Sequence, residues 1–400
     1  VSGLLLAAAG DVLVNREHPA EATAQIAPLL EEADIAFCNF EGALTDTQEP
    51  GPGASHGCVV PTANAAALDA FDVVSLANNH ALDAGYAGLA DTVAVLTGRG
   101  LAPVGAGDTA DEAWQPLLVE RNGVRVAFVA FTSVLKVGTE AKGSLPGLAA
   151  VRAQDYYAQR HPGDYGPGVP PSIVSVPNEA DMTRLRAAAG AAREAADVVV
   201  ASAHWGDYSR PWVLTDFETM LAQELLAAGA DVVLGHHQHF FRGADVSTRP
   251  VFYGLGHLVF DDPWYREELA KKGLGVDGLT DRELSLRFGE YGIYPRRDSP
   301  SFPFHPLARR TGIAIVEIDA ATRATRCGLV PCLIGPDGTP VPITSEDAGW
   351  DEARAFLEEA NERAGLPTSV ADGGWTHAGC DVLALEPADV ELEAPAARGA

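Results

Sequence analysis

Short, mainly apolar runs punctuate the chain at intervals, with amphipathic stretches between them. Leu4–Ala9, Ile35–Phe37, Val73–Leu76, Val124–Phe131, Val198–Ala203, Val232–Leu234 and Val251–Tyr253 are continuous rather than alternating, and turn residues bound them. Runs of that length without a polar face predict strands covered on both sides. Residues 19–33, 62–70, 86–99, 180–196 and 215–228 read as helices. The last shows its own limits. Thr215 and Glu218 make a capping box, Phe217, Leu221 and Leu225 share a face, and Gly229 can close the C-terminus. Alternating strand and helix predict an α/β layered fold with a largely parallel sheet.

After residue 310 the pattern changes. Ile313–Ile318, Arg326–Ile334 and Pro340–Ile343 read as strands, with a Pro336-Asp337-Gly338 turn before the last, and predict a second, more antiparallel sheet. Residues 133–178 and 261–310 are irregular and rich in turn formers, so they read as insertions of the lid or binding-loop kind. The expected organisation is one domain over 1–345 carrying these two insertions. Beyond it come a helix at 351–364 and an Ala/Pro/Glu-rich end expected to be mobile.

Polar residues fall where chemistry would need them. Asp11 follows the first run, Glu41 the second, Asn79-His80 the third, His204 the fifth and His236-His237-Gln238-His239 the sixth. Ligand sites of α/β sheets form beyond the carboxyl ends of the strands. A single Asp there is commonly a helix cap, and a single His a hydrogen-bonded core residue. Five strands converging on ligand-type side chains point instead to a metal centre. The donors are nitrogen and oxygen, which suits manganese, iron or zinc, bound as one or two ions. An H-x-H turn can offer imidazoles to two neighbouring ions, and a shared carboxylate would hold those ions about 3.5–4 Å apart.

Composition narrows the partners. With 400 residues, 47% of them hydrophobic, the chain can bury a full core, and a net charge of −27 supplies no basic field for nucleic acid or anionic membrane. Five cysteines without a C-x-x-C spacing suggest neither a zinc knuckle nor a disulfide framework, so reduced thiols in the cytoplasm are expected. A cell-surface or secreted chain is the alternative if a signal or anchor preceded Val1. No run of 18 apolar residues offers a membrane span. Gly105-Ala106-Gly107 lacks a third glycine, and neither Ser75 nor Ser202 lies in a G-x-S-x-G elbow, so dinucleotide and serine-hydrolase readings fall away.

Six segments then occur in a telling order: Gly10-Asp11-Val12-Leu13-Val14-Asn15-Arg16, Asn39-Phe40-Glu41-Gly42, Ser75-Leu76-Ala77-Asn78-Asn79-His80, Ser202-Ala203-His204-Trp205-Gly206, Gly235-His236-His237-Gln238-His239 and Tyr253-Gly254-Leu255-Gly256-His257-Leu258-Val259-Phe260-Asp261. This succession resembles the bacterial poly-γ-glutamate capsule biosynthesis family, CapA, a branch of the calcineurin-like metallophosphoesterases. The resemblance covers about residues 4–345 and implies two β-sheets flanked by helices. It implies that Asp11 and His239 hold one metal and that Asn79, His204 and His237 hold a second, with Glu41 bridging. His80 would act over the substrate as general acid or charge stabiliser, oriented by Asp83, and Arg16 would grip an anionic group. A plain helix cap and an exposed surface arginine are the alternatives for Asp83 and Arg16. Trp205, Asp207, His236 and His257 are expected to touch substrate or support the ligands; Tyr208, Trp212, Trp264 and Tyr265 are further pocket candidates, with core packing the alternative for each of these aromatics and for Trp205.

Two departures bear on the first metal. Leu13 occupies the place of the histidine in the phosphoesterase Asp-x-His, and Glu41 replaces the usual Asp. His257 stands where the family usually has Asn and can supply the missing nitrogen. The expected activity is metal-dependent hydrolysis of a small acidic phosphoester or γ-glutamyl amide. The alternatives are a non-catalytic accessory role in poly-γ-glutamate synthesis, or acyl or aminoacyl transfer. Oligomeric state is not written in the sequence.

Overall fold

A computed structural model describes residues 3–47, 57–159, 163, 171–261, 265–271, 273–276, 278–296 and 302–388. Two β-sheets face each other. One is ten-stranded, in the order Thr368–His377, Cys380–Pro387, Thr325–Ile334, Arg310–Asp319, Gly3–Leu13, Ile35–Phe40, Val73–Ser75, Ala102–Val104. His257–Phe260 and Pro340–Pro342 complete it, pairing with Gly3–Leu13 and Thr325–Ile334. The other is six-stranded and runs Ala244–Asp245, Val251–Phe252, Val232–His236, Val198–His204, Val124–Thr132, Leu117–Arg121. The mixed α/β class and the two-sheet layering agree with expectation.

Why the strands are continuous apolar runs is plain from their packing. Leu4, Leu6, Ala8, Ile35, Phe37 and Val73 of the first sheet meet Val126, Phe128, Val198, Val200, Val232 and Leu234 of the second in one core. Phe37 and Phe128 stack across that interface with ring centroids 5.9 Å apart. The intervening residues, Ala7, Ala9, Ala36 and Cys38, bury the opposite face under helices and loops. Each fully buried Val, Leu or Phe side chain contributes about 1.5–3 kcal/mol, so neither face tolerates a polar residue without a partner.

Several elements differ from expectation. The helix read over 19–33 is a 3-10 turn at Pro19–Ala22 and a separate short helix at Ala27–Glu31. Pro28 lacks the N–H that a continuous helix needs, and it sits instead in a first turn where none is required. Residues 62–70 form a 3-10 helix, Thr62–Leu68. The strands after residue 310 do not found a second sheet. Arg310–Asp319 pairs antiparallel with Gly3–Leu13 and extends the first sheet.

The two stretches expected to be insertions are, in their described residues, more regular than their composition suggests. Residues 133–178 hold an exposed ribbon of Ala153–Ala158 paired with Ser172–Pro177. Residues 261–310 hold helices Tyr265–Lys271 and Asp281–Phe288, the latter opened by a Thr280/Glu283 capping box. The helix at Trp350–Ala364 is as expected. The stretch after it is a β-hairpin up to Pro387 that adds two strands to the large sheet, while the end beyond residue 388, expected to be mobile, lies outside the described residues.

Two glycines bring the strands close enough to build the edge where the polar residues gather. A Cβ on Gly10 would sit 2.0 Å from the Gly256 carbonyl oxygen, and one on Gly235 would sit 2.1 Å from that of Tyr253. Both are backbone contacts that cannot yield. They let Asp11 and the 236–239 turn approach each other from the two facing sheets.

Candidate metal centre

Asp11 lies within the first strand, near its carboxyl end, while Glu41, Asn79 and His80 follow the next two strands of the same sheet. His204 ends a strand of the opposing sheet, and His236 ends the neighbouring one. The two sheets therefore present their donors to each other across one seam. Two three-residue clusters form there: Glu41, His204 and His237, and Asp11, Glu41 and His239, each with ligand atoms within 4.8 Å of one another. Glu41 belongs to both. Its Oε1 is 3.6 Å from His204 Nε2 and 4.0 Å from His80 Nε2, while Asp11 Oδ2 is 3.8 Å from His239 Nδ1.

A second tier of amides fixes these groups. Asn39 Nδ2 donates to Asp11 Oδ1 at 2.8 Å and lies 3.4 Å from His204 Nδ1. Asn78 Nδ2 donates to Asn39 Oδ1 and to the Phe40 carbonyl, and its own Oδ1 accepts from the His80 N–H. The His237 N–H donates to Asp11 Oδ2 at 3.1 Å. His204 Nε2 meets Asn79 Oδ1 at 2.7 Å, which brings Asn79 to the first cluster.

The H-x-H turn is built by its middle residue. Gln238 Nε2 donates inward to Glu218 Oε1 at 3.1 Å and to the Tyr253 carbonyl at 3.0 Å. His237 and His239 then take left-handed backbone angles, with φ of 95° and 59°. Such conformations cost on the order of 1–3 kcal/mol outside glycine and cluster at functional sites.

Electrostatics reflect this burial. Burial pushes the Glu41 carboxyl well above its usual range, and the Asp11 charge adds to the effect. For Asp11, burial is outweighed by His236, His239 and the Asn39 amide, which hold it below the usual value. Burial drives His204 and His239 well below the ordinary histidine value and His237 to about 4. The imidazoles are thus neutral near pH 7, the form that binds metal.

Polar atoms without partners provide the test of fit. Both Glu41 oxygens, both His236 nitrogens, and Nδ1 of His237 and His239 are buried with no hydrogen-bond partner among the described residues. Buried polar groups are almost always satisfied, and leaving one unmet costs about 1–3 kcal/mol. Those of Glu41, His237 and His239 fall in the two clusters, and their donor types match a divalent ion of the manganese, iron or zinc kind. The residues present fit the group.

The remaining candidates divide. Asp83 Oδ2 lies 2.7 Å from His80 Nδ1. His236 is buried 3.5 Å from Asp11 Oδ1. His257 is fully buried among Phe260, Phe302 and Phe304, its ring 5.7 Å from that of His239, and neither ring nitrogen has a partner among the described residues. It lies outside both donor clusters.

Arg16 is engaged elsewhere. Its guanidinium makes a two-pronged pair with Asp261, at 2.8 and 2.6 Å, and reaches Thr339, so gripping a substrate anion would require breaking that pair. Trp205 is fully buried, with Nε1 bonded to the Tyr253 carbonyl, and acts as packing beneath the site rather than as a surface for substrate. Asp207 caps its own turn through Ser209 and Arg210. Tyr208 sets its ring edge-on to His237 at 5.9 Å. Trp212 packs on Phe356, away from the cluster, Tyr265 bonds the Ile293 carbonyl, and Trp264 lies outside the described residues.

Asn39 and Asn78, though within the quoted segments, and Lys136 were given no role from the sequence. An asparagine inside an otherwise apolar strand was the available signal for Asn39. Lys136, which contacts Asp83, had none.

The family described as "Bacterial capsule synthesis protein PGA_cap" matches residues 5–262, a span that contains every residue of both clusters. The chain belongs to this family. Among its relatives, "PGA biosynthesis protein CapA" of Bacillus subtilis (strain 168) is 32% identical over 225 residues, covering 54% of this chain and 51% of that protein. "Capsule biosynthesis protein CapA" of Bacillus anthracis is 28% identical over 262 residues, covering 64% and 57%. A "Probable polyglutamine synthesis accessory protein" of Mycobacterium tuberculosis is 33% identical over 232 residues, covering 57% and 56%. The chain thus spans little more than half the length of these relatives. A hypothetical protein from Thermus thermophilus superposes with a TM-score of 0.40 at 13% identity, covering 82% of this chain and 99% of that one. No helix among the described residues is long and apolar enough to cross a membrane.

Proposed function

We propose that this PGA_cap member is a metal-dependent hydrolase acting on a small acidic phosphoester or γ-glutamyl amide. The observation that supports it most is Glu41, whose two oxygens are buried and unpartnered between two donor clusters. Asp11, Glu41 and His239 would hold one ion, and Glu41, Asn79, His204 and His237 another. When bound, such ions supply a Lewis acid and a water of lowered pKa. His80 turns Nε2 toward Glu41 and keeps Nδ1 on Asp83, an orientation suited to passing a proton to a leaving group. The Asn39 and Asn78 amides hold Asp11 and the His80 backbone still during that exchange.

Elemental analysis of purified protein, followed by turnover of bis(p-nitrophenyl) phosphate and γ-glutamyl p-nitroanilide with manganese, iron and zinc, tests the reading. Bound metal with turnover that Glu41→Gln and His237→Ala abolish supports it. Turnover unchanged in both variants sinks it.

A second reading is a non-catalytic accessory role in poly-γ-glutamate synthesis. Leu13, fully buried where phosphoesterases usually carry a histidine donor, favours it, because the Asp11 position is left one ligand short. The name of the mycobacterial relative points the same way. Substoichiometric metal with no turnover of either probe would select it. Acyl or aminoacyl transfer would use the same residues with an amine in place of water.

A further inference from the structure

Beyond the expected ligands, a lysine is built into the site from the loop that follows Val124–Thr132. This loop is anchored at its start, where the Ser133 N–H donates to the His204 carbonyl at 2.9 Å. It then turns at Lys136, whose carbonyl accepts from both the Thr139 N–H and its hydroxyl. The Lys136 ammonium is left in direct contact with Asp83 Oδ1. The other oxygen of Asp83 accepts from the Cys58 N–H at 2.8 Å and meets His80 Nδ1 at 2.7 Å. Asp83 is wholly buried, while Lys136 and His80 are 16% and 15% exposed.

We propose that Lys136 is a positioning residue for His80, acting through Asp83. Asp83 is a third buried carboxylate beside Glu41 and Asp11, and an unpaired charge there would be strongly disfavoured. Lys136 compensates that charge and fixes the carboxylate plane, so that one oxygen always faces His80 Nδ1. The ring is then held with Nε2 toward Glu41. A lysine so engaged does not bind substrate. It couples the 133–178 insertion to the orientation of the imidazole. The inference rests on the reading of His80 as the proton-handling group, but the bond itself can be observed without turnover.

The test is proton NMR of full-length protein with 15N-labelled histidine, in which the His80 Nδ1–H donated to a buried carboxylate gives a slowly exchanging low-field resonance. His80→Asn assigns it by its loss. In Lys136→Met, or in Lys136→Gln if the methionine variant does not fold, the resonance should broaden into exchange with water, and Lys136→Arg should restore it. With an aryl phosphate, kcat should fall about 10- to 100-fold in the charge-deleted variant while KM stays unchanged. A resonance that persists unaltered without the Lys136 charge, or that is missing from the wild type, overturns the proposal. Absence of any wild-type turnover would remove the hydrolase reading and leave the resonance to decide the role of Lys136.

Discussion

His204 Nε2 and Asn79 Oδ1 lie 2.7 Å apart, one carried by each of the two sheets. A proton on Nε2 satisfies both groups, and an ion taking its place would be gripped by both. Asn79→Ala is therefore expected to cost about one equivalent of bound metal with the sheet framework intact. Elemental analysis with far-UV circular dichroism checks it, and full metal content in the variant contradicts it.

Removing metal should weaken the fold. The orphaned carboxylate and imidazoles are tolerated more cheaply when an ion satisfies them, and a ligand at about 100 times its Kd adds about 2.7 kcal/mol. Chelator-treated protein is expected to unfold at lower temperature than protein with added manganese or zinc. Differential scanning calorimetry with and without chelator measures the gap. Equal midpoints would mean that neither ion is held.

Acid should destabilise the metal-free protein within a defined window. Burial lowers His237 to about 4 and His257 to about 3, against 6.5 for an unperturbed ring. The unfolded chain takes up these protons below pH 6.5 while the folded chain does not. Their contribution is thus fully present above that value and is lost as pH falls toward 4. Each group contributes at most about 1.4 kcal/mol per pH unit. Unfolding midpoints recorded in chelator at pH 7, 6 and 5 should decline, and His257→Phe should flatten the slope. A level profile would contradict the assignment.

Two glycines should respond in opposite senses. Gly235→Ala drives a Cβ to 2.1 Å from the Tyr253 carbonyl oxygen and must move the strand that delivers the H-x-H turn. A loss of about 1–3 kcal/mol or more is expected, together with loss of metal. Gly190, within the helix Glu179–Ala195, meets nothing within 4 Å of its added Cβ, so Gly190→Ala should gain about 0.5–1 kcal/mol. Chemical denaturation of both variants decides the matter.

Much of this arrangement was legible because strand ends announce themselves. Asp11, Glu41, Asn79, His204 and His237 each interrupt or follow an apolar run, and the runs are continuous because both faces of each sheet are covered. The C-terminal hairpin was not legible. Its turn places Ala378 and Gly379 at φ of 49° and 80°, a conformation usually signalled by Asn-Gly, and a register shift between Asp372 and Thr376 breaks its alternation. Lys136 and the pairing of Arg16 with Asp261 were hidden for another reason. They join residues 53 and 245 positions apart, distances over which local pattern carries no information.

The seam between the sheets also sets an order of events. Its donors run from Asp11 to His239, so no complete ion site exists until both sheets have formed and docked. On the proposed metal-centre reading, loading would be the closing step of maturation, and the ion would be taken from whatever pool surrounds the nearly finished protein. Nitrogen and oxygen donors discriminate weakly among first-row metals, and availability decides among them. On that reading, the compartment in which this chain finishes folding would help determine which metal it takes.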